Sequence, residues 1–163
     1  MFRKQFWHAL HISCVMLLFA STAAIAQKGG KGGGKGGDGD DEMHGGSGND
    51  RMYGNADNDR MLGGAGRDFL NGGSGDDELT GNLNNDVFIF SGAHGNDTII
   101  DFAANAATER LDFTMLGTMN NFAQVSAAMS QVGANVVIQT GASSSITLLN
   151  VNMADITAID FYF

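Results

Sequence analysis

The chain of 163 residues has one cysteine, one tryptophan and only 9 Lys+Arg against 18 Asp+Glu. The single thiol, Cys14, falls inside an N-terminal stretch that reads as an export signal. Arg3 and Lys4 give it a basic start, an apolar run continues to about Ala20, and Ala24-Ile25-Ala26 supplies small residues before Gln27. His8 and His11 interrupt that run, which is shorter than the ~20 residues a spanning helix needs, so a membrane anchor is the weaker reading. Cys14 also lies well before the small-residue site, which argues against a lipoprotein. Cleavage after Ala26 would remove the only thiol, excluding a disulfide and a cysteine nucleophile from the mature chain. A small exported domain without disulfides needs another staple, and a metal ion is the obvious one.

Positive charge is scarce as well. Without residues 1–26 the balance is 7 Lys+Arg against 18 Asp+Glu, a net charge of −11. Such a chain repels nucleic acid and anionic lipid and attracts cations. From Gly36 to Asp101 there are 14 acidic and 3 basic residues, and the remainder of the mature chain has four of each, so one segment carries the whole excess. Catalytic motifs are missing too. No H-E-x-x-H occurs, and no G-x-S-x-G, since Ser47 and Ser74 sit inside G-G-S-G turns.

Residues 27–35, QKGGKGGGK, hold nothing apolar and read as a flexible tether. They are not a phosphate loop, because Gly36 rather than Ser/Thr follows Lys35. From Gly36 the sequence repeats every nine residues: GGDGDDEMH, GGSGNDRMY, GNADNDRML, GGAGRDFLN, GGSGDDELT, GNLNNDVFI. Position one is always glycine (Gly36, Gly45, Gly54, Gly63, Gly72, Gly81). Position six is always aspartate (Asp41, Asp50, Asp59, Asp68, Asp77, Asp86), and position eight is always large and apolar (Met43, Met52, Met61, Leu70, Leu79, Phe88). Such fixed-period self-similarity marks a stacked repeat fold rather than an acidic, glycine-rich disordered tail.

These nonapeptides resemble the RTX, or hemolysin-type, calcium-binding repeats. The segments DVFIFSGAHGNDTIIDF (86–102) and RLDF (110–113) resemble, less specifically, the stretch that follows such repeats in serralysin-like secreted proteins. The resemblance implies an all-β fold: a right-handed parallel β-roll over 36–90, in which two repeats form one coil and turn n stacks on turn n+2. It also implies that the position-six carboxylates of stacked turns bind calcium with backbone carbonyls from the first four positions. Carried over, Asp41, Asp59 and Asp77 line one edge and Asp50, Asp68 and Asp86 the other. The pairs 41/59, 59/77, 50/68 and 68/86 then give about four calcium ions, with the position-one glycines contributing carbonyls. Asp97 follows Asp86 by eleven residues instead of nine, so Asp97, with Asp101, is either a displaced ligand or an ordinary turn residue. His44 and His94 stand alone in sequence and are expected to be exposed.

The spacing is physically reasonable. Stacked strands lie about 4.7–4.9 Å apart, and calcium sits about 2.3–2.6 Å from oxygen, so one ion reaches two turns. Six residues per repeat suit a turn and three, x-U-x, a short strand with its middle side chain inward. Turns that aim carbonyls inward need φ > 0, which glycine supplies. Asn55, Asp57, Asn82 and Asn84, standing where other repeats have glycine, tolerate that conformation better than other residues.

Residues 91–163 read as a mainly-β cap with one short helix. Phe122, Val125, Met129 and Val132 stand at helical spacing behind Asn121, a suitable N-cap, and predict a helix over 122–132. Residues 136–138 and 146–149 flank a Gly-Ala-Ser-Ser-Ser turn and predict a hairpin. The expected function is that of an exported, non-enzymatic calcium-binding protein, a structural module or one that meets a cell-surface or matrix partner. It should bind no nucleic acid and insert in no membrane once the signal is removed. The alternatives are a non-catalytic fragment or accessory of a secreted hydrolase system, and an enzyme with chemistry in 91–163. The expected location is extracellular, with the periplasm as the other compartment that a Sec-type signal reaches. The Phe161-Tyr162-Phe163 ending is also compatible with type I export.

Overall fold

The computed structural model describes residues 33–106 and 108–163. The expected signal segment, 1–26, lies outside them, as do residues 27–32 of the expected tether. Nine strands follow one another from the start: β1 (Gly33–Gly37), β2 (Glu42–Ser47), β3 (Arg51–Ala56), β4 (Arg60–Ala65), β5 (Phe69–Ser74), β6 (Glu78–Leu83), β7 (Val87–Ser91), β8 (Asn96–Ile99) and β9 (Arg110–Met115). β1 to β5 each pair in parallel with the strand two further on, in register by 18 residues: Met43 lies beside Met61, Met61 beside Leu79, and Met52 beside Leu70. Odd-numbered strands therefore build one sheet and even-numbered strands the other. This is a parallel β-roll.

The inner face follows from the period. Met43, Met52, Met61, Leu70, Leu79 and Phe88 are all buried and form one apolar row between the sheets. Position seven faces outward, where Arg60 lies between Glu42 and Glu78 (Nη1–Oε1 3.5 Å and Nε–Oε1 2.8 Å). On the other sheet Arg51 and Arg67 lie over the Phe69 ring, 4.6 and 5.3 Å from its centroid. The strands are longer than three residues. They run through positions seven to three, because the backbone ladder continues into the turn, with Gly46 beside Gly64 and Ser47 beside Ala65. Gly33–Gly37 pair with β3, so the end of the expected tether already belongs to the roll.

Beyond Phe90 both sheets continue. β8 stacks on β6, and β9 on β7. After β9 come α1 (Phe122–Ala128), β10 (Met129–Val132), β11 (Asn135–Gln139), β12 (Ser145–Leu148) and β13 (Phe161–Tyr162). The Asn121 side chain caps α1 by accepting from the Gln124 amide at 3.1 Å. The helix is shorter than its spacing predicts. Met129 turns to extended backbone, and residues 129–132 pair antiparallel with 135–138 around Gly133 at φ 62°. Ladder hydrogen bonds to β11 thus replace the last helical turn, and Val132 is exposed rather than buried. The predicted hairpin is present as β11 and β12, with Ile138 opposite Ile146. β12 then joins β8 in parallel and β13 joins β9, which extends both sheets of the roll. Phe102 over Phe88 and Phe113 over Phe90 (ring centroids 6.3 and 6.0 Å) cover the end of the apolar row. Among the described residues no helix is long and apolar enough to cross a membrane.

Candidate metal centre

The position-six aspartates stand where each turn enters the next strand, and stacking lines them up along the two edges of the roll. Four of the carboxylates are tied to the coil before them through one oxygen. Oδ1 of Asp59, Asp77, Asp68 and Asp86 accepts the amide of Asp41, Asp59, Asp50 and Asp68 respectively, each at 2.8 Å. The residue before it works in the opposite direction. Asp40 Oδ1 accepts the Asn58 amide, Asn58 Oδ1 that of Asp76, and Asn49 Oδ1 that of Arg67, at 2.7–2.9 Å. Sequence reasoning missed this second ladder. Its signal was the run of Asp or Asn at position five in every repeat except the one with Arg67.

The other carboxylate oxygen has nothing from the protein. Oδ2 of Asp41, Asp59, Asp68, Asp77 and Asp86 is buried without a hydrogen-bond partner, and the residues themselves are at most 3% exposed. A buried charge left in this state costs several kcal/mol. Burial accordingly pushes the Asp59 carboxyl up to about 6, against its Asp41 amide bond, and the charges of Asp41, Asp40 and Asp57 add to the rise. Burial likewise takes Asp77 and Asp86 up to about 7 against their amide bonds, with Asp97 and Asp59 adding at the first and Asp68 and Asp101 at the second. Asp68 is raised for the same first reason.

The position-one glycines explain where those oxygens point. None of the six has a positive φ. They are glycines for lack of a Cβ rather than for left-handed freedom, which corrects the expectation. A Cβ on Gly36 would stand 2.5 Å from Asp41 Oδ2 and 2.7 Å from the Gly54 carbonyl oxygen of the next coil. On Gly63 it would stand 2.6 Å from Asp68 Oδ2 and 2.9 Å from Gly81 O. Gly45 faces Asp50 Oδ2 and Gly63 O, and Gly54 faces Asp59 Oδ2 and Gly72 O, in the same way. At each of these four glycines a carboxylate oxygen and a carbonyl oxygen from two stacked turns therefore approach too closely to admit a Cβ. Positive φ belongs to positions two and four: Asn55 (87°) and Asp57 (70°) adopt it as Gly73 (110°) and Gly75 (134°) do. Among the described residues no three His, Cys, Asp or Glu side chains converge on one point. Any cation here has to draw much of its shell from backbone carbonyls.

Beyond the repeats, the structure separates Asp97 from Asp101. Asp97 Oδ1 accepts the Asp77 amide at 3.0 Å, which continues the 41/59/77 edge. Asp101 accepts the amides of Gly81 (3.0 Å) and Asn82 (2.7 Å) near the other edge. There Arg110 donates to Asp86 O at 2.9 Å, as Val87 does to Asp68 O, which puts Glu109 in the position-six slot after Asp86. Glu109 is buried and pushed up to about 7 by that burial, with Asp101 and Asp86 adding. Sequence reasoning missed it, because glutamate replaces aspartate and the nine-residue spacing has lapsed. His94 is the second miss. Expected to be exposed, it is 1% exposed, because its two ring nitrogens meet Asp97 and Thr140 inside the cap. His44 does lie at the surface, 3.3 Å from Glu42.

Two expected results follow from this geometry. A carboxyl whose folded-state value stands above its ordinary 3.8 stabilises the fold where it is protonated. That contribution is whole below about pH 4 and is lost as pH rises through about 6–7. In chelator, far-UV circular dichroism should therefore show more β structure at about pH 5 than at about pH 8; a spectrum unchanged between them would contradict the reading. Gly63→Ala should push Asp68 Oδ2 and the Gly81 carbonyl out of place and lower bound calcium by one ion in equilibrium dialysis. Undiminished binding would show that these two oxygens hold no ion.

Comparison with known proteins agrees with this architecture. The family model of the RTX calcium-binding nonapeptide repeat (4 copies) matches residues 35–70, 53–88 and 62–99. The AlgE6R3 subunit of the Azotobacter vinelandii mannuronan C5-epimerase is 29% identical, with a TM-score of 0.59 over 76% of this chain and 78% of that one. The AlgE6R2 subunit of the same epimerase is 26% identical, with a TM-score of 0.59 over 77% and 91%. The extracellular lipase LipA of Serratia marcescens aligns with 87% of this chain at 17% identity and a TM-score of 0.49, and the chain spans 40% of its length. No curated protein matches the sequence. Residues 35–99 of this chain are RTX calcium-binding nonapeptide repeats.

Proposed function

We propose that this protein is an exported calcium-binding module whose roll folds as about four calcium ions enter between stacked turns. The observation that supports it is the row of buried, unpartnered Oδ2 atoms of Asp41, Asp59, Asp68, Asp77 and Asp86, each packed against a position-one glycine too closely to admit a Cβ. Calcium takes six to eight oxygen ligands at about 2.3–2.6 Å and tolerates irregular shells of carboxylates and carbonyls. At Gly36 and Gly63 the missing Cβ lets a carboxylate oxygen and the carbonyl oxygen of the next coil come together on one side of the backbone, the kind of oxygen donors calcium takes. Asp41, Asp50, Asp59 and Asp68 would each hold an ion through Oδ2, with the carbonyl of Gly54, Gly63, Gly72 or Gly81 above. Asp59, Asp77, Asp68 and Asp86 would close those sites from the next coil. Calcium supplies the positive charge that the edges lack.

The repeats themselves are a non-catalytic calcium-binding unit, so the role is structural or one of surface or matrix contact outside the cell. RTX repeat proteins are typically secreted. A second reading has one observation in its favour: the similar epimerase units are subunits of an enzyme. The chain would then serve as an accessory to a secreted catalytic protein. Co-purification from culture medium, with and without chelator, tests the choice. A calcium-dependent enzyme partner at fixed stoichiometry supports the accessory reading, and its absence supports the stand-alone module.

A further inference from the structure

The edge formed by Asp41, Asp59, Asp77 and Asp97 changes character at its last step. Asp97 Oδ1 accepts the amide of Asp77 as Asp77 Oδ1 accepts that of Asp59. Its Oδ2, however, lies 2.6 Å from His94 Nδ1, where Oδ2 of Asp41, Asp59 and Asp77 has no partner. Position three of the six regular repeats holds Asp38, Ser47, Ala56, Ala65, Ser74 or Leu83. In the seventh turn, Gly92-Ala93-His94-Gly95-Asn96-Asp97, the same position holds an imidazole. Otherwise the turn stacks as the others do, since the Asn96 amide donates to Asp76 Oδ1 at 2.7 Å. We propose that His94 closes this edge, its imidazole donating to Asp97 Oδ2 where the lower rungs require a metal ion.

At 2.6 Å from a carboxylate oxygen, Nδ1 carries the ring hydrogen and donates it to Asp97 Oδ2. Nε2 lies 2.8 Å from Thr140 Oγ1, which fixes the ring from its other side. Asp97 Oδ2 thus has the donor that Oδ2 of Asp41, Asp59 and Asp77 lacks. Phe90, tilted against the ring with centroids 5.1 Å apart, holds the imidazole in place. The other acids near the pair are Asp77, whose amide donates to Asp97 Oδ1, and Asp76, at the turn surface. The rung thus closes with groups that the chain itself provides, at the end where β11 and β12 join the roll.

This inference rests on the calcium reading of the lower rungs, and the test separates the two. Equilibrium dialysis gives the calcium stoichiometry of the full mature chain, and circular dichroism gives the calcium midpoint for folding. If the wild type binds no calcium, the reading of the lower rungs fails. Asp97→Asn keeps an acceptor for the Asp77 amide and lets its NH2 donate to a neutral His94. Its stoichiometry should equal that of the wild type, and a loss of one ion would make Asp97 a ligand and overturn the proposal. His94→Ala leaves a buried carboxylate unpaired. Its folding midpoint should rise roughly three- to fivefold, since the cost is shared among several ions. The double variant, His94→Ala with Asp97→Asn, removes that charge and should recover most of the shift. A double variant no better than His94→Ala alone would reduce His94 to a packing role. Should His94→Ala fail to fold at saturating calcium, the double variant and Asp97→Asn still decide.

Discussion

In excess chelator near neutral pH, residues 27–163 are expected to lose most of their β structure and to regain it at about 0.1–1 mM calcium, the range of extracellular calcium modules. The carboxylates of Asp41, Asp50, Asp59, Asp68, Asp77 and Asp86 are all buried in two stacked rows. At the strand spacing of about 4.8 Å, neighbours in a row repel by roughly 0.9 kcal/mol in water and about 3.5 kcal/mol at an effective dielectric of 20. Against this, each repeat buries one inward side chain, worth about 1.5–3 kcal/mol, and must order nine glycine-rich residues. The apolar row alone does not hold the coils together. Magnesium should substitute poorly, because it prefers tight octahedral geometry and keeps its waters. A β-rich spectrum that survives chelation at about pH 8 would contradict the expectation.

Asp68→Ala should cost about two bound ions, and Asp41→Ala about one. Asp68 Oδ2 lies against Gly63, beside the Gly81 carbonyl of the next coil, while its Oδ1 holds the Asp50 amide of the coil below. Its own amide donates to Asp86 Oδ1, so three turns meet at this residue. Asp41 Oδ2 lies against Gly36 at the start of its edge, and its Oδ1 accepts nothing among the described residues. Asp68→Ala should also raise the calcium midpoint for folding more, because it interrupts the middle of an edge rather than its start. Calorimetry on both variants checks this, and equal losses would contradict the pairing of alternate turns.

Most of the roll was legible because its partners are periodic. A residue 18 positions away occupies the same place one coil on, so Met43, Met61 and Leu79 announce both the inner face and the register. The same period identified the six aspartates. It also misled where chemistry differed within the period. Position-one glycine looked like a conformational requirement, and only the atoms around Gly36 and Gly63 show that it is a requirement for space. Past Phe90 the period ends, and pairing depends on contacts far apart in sequence. β12 lies beside β8, with Ser145 opposite Asn96, and nothing local in either segment encodes that. The spacing of Phe122, Val125, Met129 and Val132 satisfied a helix although the last two joined a hairpin, because β11 offered them a ladder. Glu109 and His94 escaped notice for a related reason: each does its work through a partner that only the fold brings near.

The most direct test of calcium-driven folding is equilibrium dialysis of residues 27–163 with labelled calcium, read beside far-UV circular dichroism on the same samples. Four ions per chain are expected, one for each of the stacked pairs 41/59, 59/77, 50/68 and 68/86, with binding and the gain of β structure rising together over a single cooperative transition. A chain already folded with no calcium bound, or one that binds calcium without gaining structure, would contradict it.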